Sequence, residues 1–143
     1  MKTNHMQLTF DARSVNEGFA RVAVAAFLTD LNPTLDEIAD MKTAVSEAVT
    51  NAIIHGYQSA DCQVKLSCSV LGNKVEIVVE DFGVGIADVE KAREAFFTTK
   101  PEMERSGMGF SFMEAFMDEL EVYSKVNEGT KVIMRKYIGK WDG

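Results

Sequence analysis

Two polar side chains, Glu47 and Asn51, lie four positions apart in an apolar segment, and His55 extends the series. Residues four apart share one face of an α-helix and are separated by about 6 Å along its axis. Asn51 offers a neutral carbonyl oxygen, which suits a Mg²⁺ ion already neutralised by phosphates. Glu47 could take a proton from an incoming nucleophile. The same spacing fits a solvated helix face, and His55, next to Gly56, fits a structural residue at a helix end.

A second motif begins where an acidic residue, Asp81, ends a strand-like run and two glycines follow. By strand parity Asp81 lies on the face of the alternate apolar residues, so its carboxylate should point inward. A buried carboxylate needs a hydrogen-bond donor, and the exocyclic amine of adenine is one, whereas guanine presents a carbonyl oxygen there. Gly83 and Gly85 would let the backbone approach a ring or a ribose closely. The motif therefore predicts an adenine site, although an Asp that caps a plain turn has the same sequence.

A third motif lies in an aperiodic, Pro- and Gly-containing stretch that opens a helix. Free N–H groups at a helix start suit phosphate oxygens, and cationic and hydroxyl side chains just upstream supply further donors. We expect this stretch to act as a lid over phosphates, although a plain surface loop is the alternative. Its candidate phosphate-binding residues are Thr98, Thr99, Lys100, Arg105, Ser106, Gly107, Met108 and Gly109.

Periodicity and turn signals predict the elements that must position these motifs. Strands are predicted at 7–10, 63–71, 74–80, 120–126 and 131–138. Helices are predicted at 14–31, 34–55, 88–96 and 108–119. Capping boxes at Ser14 and Thr34 should start the first two helices, and Gly56 should end the second in a left-handed conformation. The sum is an α+β fold, a two-layer α/β sandwich with a mixed, mostly antiparallel sheet covered by helices on one face.

The composition is that of an acidic globular protein of 143 residues with a net charge of −7, about one domain (1–143). This charge argues against the backbone of a nucleic acid as the main partner. No apolar run reaches the ~20 residues that a membrane span requires. Cys62 and Cys68 are too few for a disulfide framework, and a zinc site built from them and a histidine would have no known ligand spacing. We therefore expect free thiols and a cytoplasmic protein.

The three motifs follow one another in an order that resembles the Bergerat-fold (GHKL) ATPases and kinases, which include gyrase and the histidine kinases. The resemblance implies an ATP-binding site. Its N box would contain Glu47, Asn51 and His55, its first glycine box Asp81, Gly83 and Gly85, and its second Gly107 and Gly109.

Over nearly the whole chain the sequence is similar to the anti-sigma-F family of spore-forming bacteria, most clearly at 19–22, 46–57, 97–101, 104–110 and 116–119. The resemblance implies that the protein holds the sporulation sigma-F factor inactive while it carries ATP or ADP. It also implies a protein serine kinase that uses Mg-ATP to phosphorylate an anti-anti-sigma factor. Glu47 would be the base, Asn51 the Mg²⁺ ligand and Asp81 the adenine contact. Arg105 would stabilise the phosphoryl group during transfer. The resemblance also implies a homodimer, and Arg21 as a contact for both protein partners, the sigma factor and the anti-anti-sigma factor.

Several alternatives remain open at the level of sequence. A Bergerat ATPase that hydrolyses ATP without a protein acceptor would need the same base and metal ligand. A kinase and anti-sigma factor for a general-stress sigma factor would carry the same motifs, and a catalytically silent, nucleotide-gated binding module is a further option. The surface loop 58–63 and the tail 141–143 depart from the family, so contacts with partners are less defined than the nucleotide site.

Overall fold

The computed structural model describes residues 3–56, 62–93 and 109–139 of the chain. Five strands form one antiparallel sheet in the order β1-β2-β3-β5-β4. The strands are β1 Thr3–Asp11, β2 Gln63–Leu71, β3 Lys74–Asp81, β4 Glu119–Lys125 and β5 Gly129–Tyr137. The helices are α1 Val15–Phe27, α2 Leu35–Asn51, α3 Val89–Ala92 and α4 Gly109–Phe116. The predicted α+β class, with helices packed on an antiparallel sheet, is confirmed.

Alternation of apolar and polar residues gives the sheet one buried face. In β2 and β3 every second side chain is buried: Val64, Leu66, Cys68, Val70, Val75, Ile77, Val79 and Asp81. Helix α2 packs between α1 and α4 and also contacts β3. It buries Met41, Ala44, Val45, Ala48 and Val49 in the same core. The core therefore lies between the helix layer and the sheet, and Asp81 is its charged member at the end of β3.

The start of α2 follows the sequence prediction and the start of α1 does not. The hydroxyl of Thr34 accepts the N–H of Glu37 at 3.1 Å, and the carboxylate of Glu37 accepts the N–H of Thr34 at 2.8 Å. Ser14 makes no such side-chain cap, because its backbone is already helical at φ −55° and ψ −31°. An N-cap residue needs an extended backbone to direct its hydroxyl at the first turn, so the predicted capping box at Ser14 is wrong.

The C-terminal end of α2 differs from the regular helix predicted through His55. After Asn51 the chain continues as a π-helical segment, Ala52–Gly56, whose hydrogen bonds span five residues instead of four. This segment contacts β3 and β5. The i, i+4 stripe therefore holds for Glu47 and Asn51, but the prediction that it continues in the same geometry to His55 is wrong.

The remaining boundaries follow the prediction more loosely. The α-helix of α1 ends at Phe27 and a 3₁₀ turn, Leu28–Leu31, completes the predicted length. Helix α3 spans Val89–Ala92 with Asp88 as its N-cap, and residues 94–96 of the predicted helix 88–96 lie outside the described residues. Helix α4 ends before Glu119, which begins β4. Among the described residues, no helix is both long and apolar enough to cross a membrane.

Candidate functional site

The carboxylate of Asp81 is buried at the end of β3, as strand parity predicts. Only 6% of the residue is exposed, and Asp81 pairs with Thr130 of β5. Burial raises the pKa of Asp81 to about 6 from its ordinary 3.8, while hydrogen bonds from the backbone N–H groups of Gly83 and Thr130 lower it. The bond from Gly83 measures 3.0 Å. Asp81 is thus a buried carboxylate held by two backbone donors, and a buried group with a shifted pKa is a candidate for a functional site.

The loop that follows Asp81 rests on the turn between β4 and β5. The N–H of Asn127 donates to the carbonyl of Val84 at 2.8 Å, which fixes the middle of the loop. Gly85 has φ +76°, and a Cβ at this position would lie 2.2 Å from the carbonyl oxygen of Lys125. Both the conformation and the space require glycine here. The structure accounts for Gly85 by the close approach to the protein's own β4–β5 turn, and its predicted approach to a ring or a ribose stays a prediction.

Glu47 and Asn51 lie on the last two turns of α2, on the part of the helix that leads to the π-helical segment and its contacts with β3 and β5. Both residues are half-buried. Within the described part of the chain, the Nδ2 atom of Asn51 is buried and has no hydrogen-bond partner. A buried amide that lacks a partner costs free energy, so Asn51 fits a residue whose partner is a ligand.

The predicted lid lies mostly outside the described residues. This holds for Thr98, Thr99, Lys100, Arg105, Ser106, Gly107 and Met108. Gly109 is the first residue of α4, and the side chain of His55 is likewise outside the described part. The structure therefore places the base candidate, the metal-ligand candidate and Asp81 on elements that contact one another, and leaves the phosphate-binding residues as predictions.

Arg21 lies on α1, and it is half-buried. Its side chain is 43% exposed, and its Nη1 lies 4.0 Å from the carboxylate of Glu17 one turn earlier. Three exposed apolar residues, Val15, Phe19 and Val22, follow helical spacing on the same helix. We call Val15, Phe19, Arg21 and Val22 the α1 surface. Exposed apolar residues on one side of a helix are typical of protein-binding surfaces.

Two residues near Asp81 escaped the sequence analysis. Thr130 is buried and pairs with Asp81, and the hydroxyl of Ser124 lies 2.7 Å from that of Thr130. Both come from the β4–β5 hairpin, which the sequence treats only as a closing element. No signal in the local sequence could have identified them, since their role depends on β5 lying beside β3.

Electrostatics and geometry together favour a site for a neutral donor group beside Asp81 and for a charged cofactor nearer Asn51. Asp81 can accept a hydrogen bond, Asn51 can offer a hard oxygen to a divalent cation, and Glu47 is a carboxylate one turn away. This division is what adenine recognition combined with phosphoryl transfer requires.

The family comparison identifies a known domain over most of the chain. Residues 8–136 match the model of the histidine kinase-like ATPase domain. The curated relatives include an anti-sigma F factor from Clostridium perfringens (strain SM101 / Type A), 58% identical over 93% of this chain and 96% of the relative. The anti-sigma F factor of Anoxybacillus flavithermus is 57% identical, over 96% of this chain and 94% of the relative.

Two solved structures share the fold at low sequence identity. The crystal structure of the RsbU and RsbW domains of a Mycobacterium tuberculosis protein superposes with a TM-score of 0.68 at 19% identity, covering 94% of this chain and 32% of that one. The catalytic domain of the histidine kinase ThkA, in a nucleotide-free form, gives a TM-score of 0.56 at 18% identity, covering 93% of this chain and 97% of that one. At these identities the likeness concerns the fold alone.

Proposed function

We propose that this chain, which belongs to the anti-sigma F factors of the histidine kinase-like ATPase family, holds a sigma factor inactive. We also propose that it is a serine kinase. Its substrate would be a small anti-anti-sigma protein, phosphorylated from ATP. The sigma factor would be the sporulation sigma-F factor, as the names of the relatives indicate. The observation that carries the nucleotide part is the burial of the Asp81 carboxylate at the end of β3, which raises its pKa.

Adenine recognition by Asp81 follows from the chemistry of a buried acceptor. The carboxylate accepts a hydrogen bond from the exocyclic amine of adenine, and this bond offsets part of the cost of burial. Guanine places a carbonyl oxygen at the same position, and two acceptors facing each other repel. We therefore expect the site to select ATP and ADP over guanine nucleotides.

Metal binding and proton transfer fall to different residues of α2. The side-chain oxygen of Asn51 would hold Mg²⁺. The Nδ2 of the same amide, which has no partner among the described residues, is a donor that an acceptor atom of the nucleotide would satisfy. When bound, Mg²⁺ neutralises charge on the phosphates. Glu47 takes the proton from the substrate serine hydroxyl as that oxygen attacks the γ-phosphorus, and the bond from phosphorus to the bridging oxygen of ADP breaks.

The segment 98–109 completes this proposal as a lid, with Thr98, Thr99, Lys100, Ser106, Gly107, Met108 and Gly109 near the phosphates. Arg105 would stabilise the charge of the group in transfer. His55 belongs to the same site in the family pattern.

Partner binding is assigned to the α1 surface. Arg21 provides a cation for an acidic group of the partner, and Val15, Phe19 and Val22 provide apolar area that would be buried on association. We also propose a homodimer, in line with the family resemblance. Neither role involves the nucleotide residues, so binding of a partner and binding of ATP can be tested separately.

The decisive experiment incubates the protein with ATP labelled at the γ-phosphate and the anti-anti-sigma protein, and follows the label. Label on a serine of the acceptor supports the kinase, whereas label released only as free phosphate would show an ATPase. Glu47→Ala should bind ATP as the parent does but transfer phosphate at least about a hundredfold more slowly, because it lacks the base. Glu90→Ala, at an exposed position of α3, is the matched control and should transfer at the parent rate.

A result in which Glu47→Ala transfers phosphate as fast as the parent would end the assignment of the base. A parent protein that binds ATP and the sigma factor but releases label to neither acceptor nor water would identify a silent binding module.

A further inference from the structure

The hydroxyl of Ser124, on β4, makes hydrogen bonds with the glycine loop and with the first two residues of β5. It accepts the N–H of Ile86, at the end of the glycine loop, at 2.6 Å. It also lies 3.0 Å from the carbonyl oxygen of Gly129, which it donates to, and 2.7 Å from the hydroxyl of Thr130. A serine hydroxyl has one donor and two acceptor positions. With the N–H of Ile86 and the hydroxyl of Thr130 as donors, Ser124 uses all three.

This arrangement connects the glycine loop to the carboxylate of Asp81 through the β4–β5 hairpin. Thr130, which shares the hydrogen bond with Ser124, donates its backbone N–H to Asp81. Gly129 has φ +118°, and a Cβ there would lie 2.1 Å from the carbonyl oxygen of Asp81. Ser124 thus contacts both ends of the segment from Asp81 to Ile86, directly at one end and through Thr130 at the other.

The middle of the loop has exposed side chains. Phe82 and Val84 are exposed, with 64% and 39% of their surface in solvent, so burial contributes little to their position. Hydrogen bonds from Asn127 to Val84 and from Ile86 to Ser124 help to seat the loop on the hairpin. A loop whose middle side chains are exposed relies on such bonds, together with the packing of Ile86 against the core, to stay in one conformation.

We propose that Ser124 is a positioning residue of the nucleotide site, which holds the glycine loop 82–86 and Asp81 in their binding arrangement before nucleotide arrives. The inference rests on the proposed nucleotide site. Its expected effect is on the affinity for nucleotide. The apparent affinity is the intrinsic affinity multiplied by the fraction of molecules whose loop is in the binding conformation. This effect leaves the chemical step unaffected, because Glu47 and Asn51 belong to α2.

The test compares Ser124→Ala, Ser124→Thr and the parent in calorimetric titrations with ATP, followed by phosphoryl-transfer kinetics. Ser124→Ala should bind ATP about tenfold more weakly and raise KM by a similar factor, while kcat stays near the parent value. Ser124→Thr keeps the hydroxyl and should restore both. Ser67→Ala, a half-buried serine on the sheet face remote from the helices, controls for removal of a hydroxyl from a strand.

Amide hydrogen exchange of nucleotide-free protein provides a second measurement. The Ile86 amide should exchange faster in Ser124→Ala and at the parent rate in Ser124→Thr and Ser67→Ala. If the parent binds no ATP, the proposed function fails and this inference fails with it. If the parent binds ATP and Ser124→Ala binds it equally tightly, or if kcat falls while KM is unchanged, only the positioning role of Ser124 is overturned.

Discussion

Replacing Asp81 by Asn should make the nucleotide-free protein more stable and the nucleotide complex weaker. Burial holds the pKa of this carboxyl at about 6 against its ordinary 3.8, which corresponds to about 3 kcal/mol lost from the folded state when the group is ionised. An amide carries no charge and keeps one acceptor oxygen, which has to serve the N–H groups of both Gly83 and Thr130. Since its NH₂ group must also find a partner in a buried position, we expect a net gain of about 1–2 kcal/mol in the free energy of unfolding at pH 8.

The pH dependence gives the sign of this effect. The carboxyl has a higher pKa when folded than when unfolded, so ionisation favours the unfolded chain and the penalty is complete above the folded pKa of about 6. As the pH falls, Asp81 becomes protonated first in the folded state, and below about pH 4 the penalty disappears. The stability gain of Asp81→Asn should therefore be largest at pH 8 and small at pH 4.

Urea denaturation of nucleotide-free protein at both pH values measures this gain, and calorimetry with ATP measures the cost in binding. ATP affinity should fall at least about tenfold, because a charge-assisted hydrogen bond is lost. Glu80→Gln, the same exchange on the opposite face of β3, is the matched control. An Asp81→Asn variant that unfolds at lower urea than the parent at pH 8 would contradict the buried-carboxylate reasoning, and undiminished ATP affinity would refute the adenine contact.

Two further substitutions test neighbouring features. Gly85→Ala forces a Cβ to within 2.2 Å of a backbone carbonyl, so it should cost about 2 kcal/mol more of unfolding free energy than Gly139→Ala; Gly139 has a similar φ of +68° and open space around its Cβ position. Equal losses in urea denaturation would show that the loop moves freely away from the hairpin. Arg21→Ala should weaken sigma-factor binding at least about tenfold in a solution binding assay and leave ATP affinity unchanged. Arg13→Ala, an exposed arginine just before α1, is the control, and parental sigma-factor affinity of Arg21→Ala would place the contact elsewhere.

Local chemistry made part of this fold predictable from sequence. The hairpin of β2 and β3 has its predicted turn because Gly72 adopts a positive φ of +64° between two alternating apolar runs. Thr34 and Glu37 form their capping box because both side chains reach the first turn of α2. Asp81 is buried because strand parity leaves it no other face.

The features that sequence missed depend on contacts between distant segments. Ser14 and Glu17 have the same spacing as Thr34 and Glu37, yet the Ser14 backbone is helical, so the pattern alone does not decide whether a cap forms. Ser124 gains its role only because β5 lies between β3 and β4, an order that hydrophobic periodicity does not reveal.

The π-helical segment Ala52–Gly56 constrains the length of the chain at this point as well as its composition. Each residue added to a helix rotates everything that follows by about 100°, so one residue more or fewer would turn the exit of the chain to a different side. Insertions and deletions here should therefore be tolerated far less than in an ordinary surface turn. The π-helical turn is wider than an α-helical turn, so it can redirect the chain without a proline and without a break in the helix. Glu47 and Asn51 therefore remain part of the continuous helix α2.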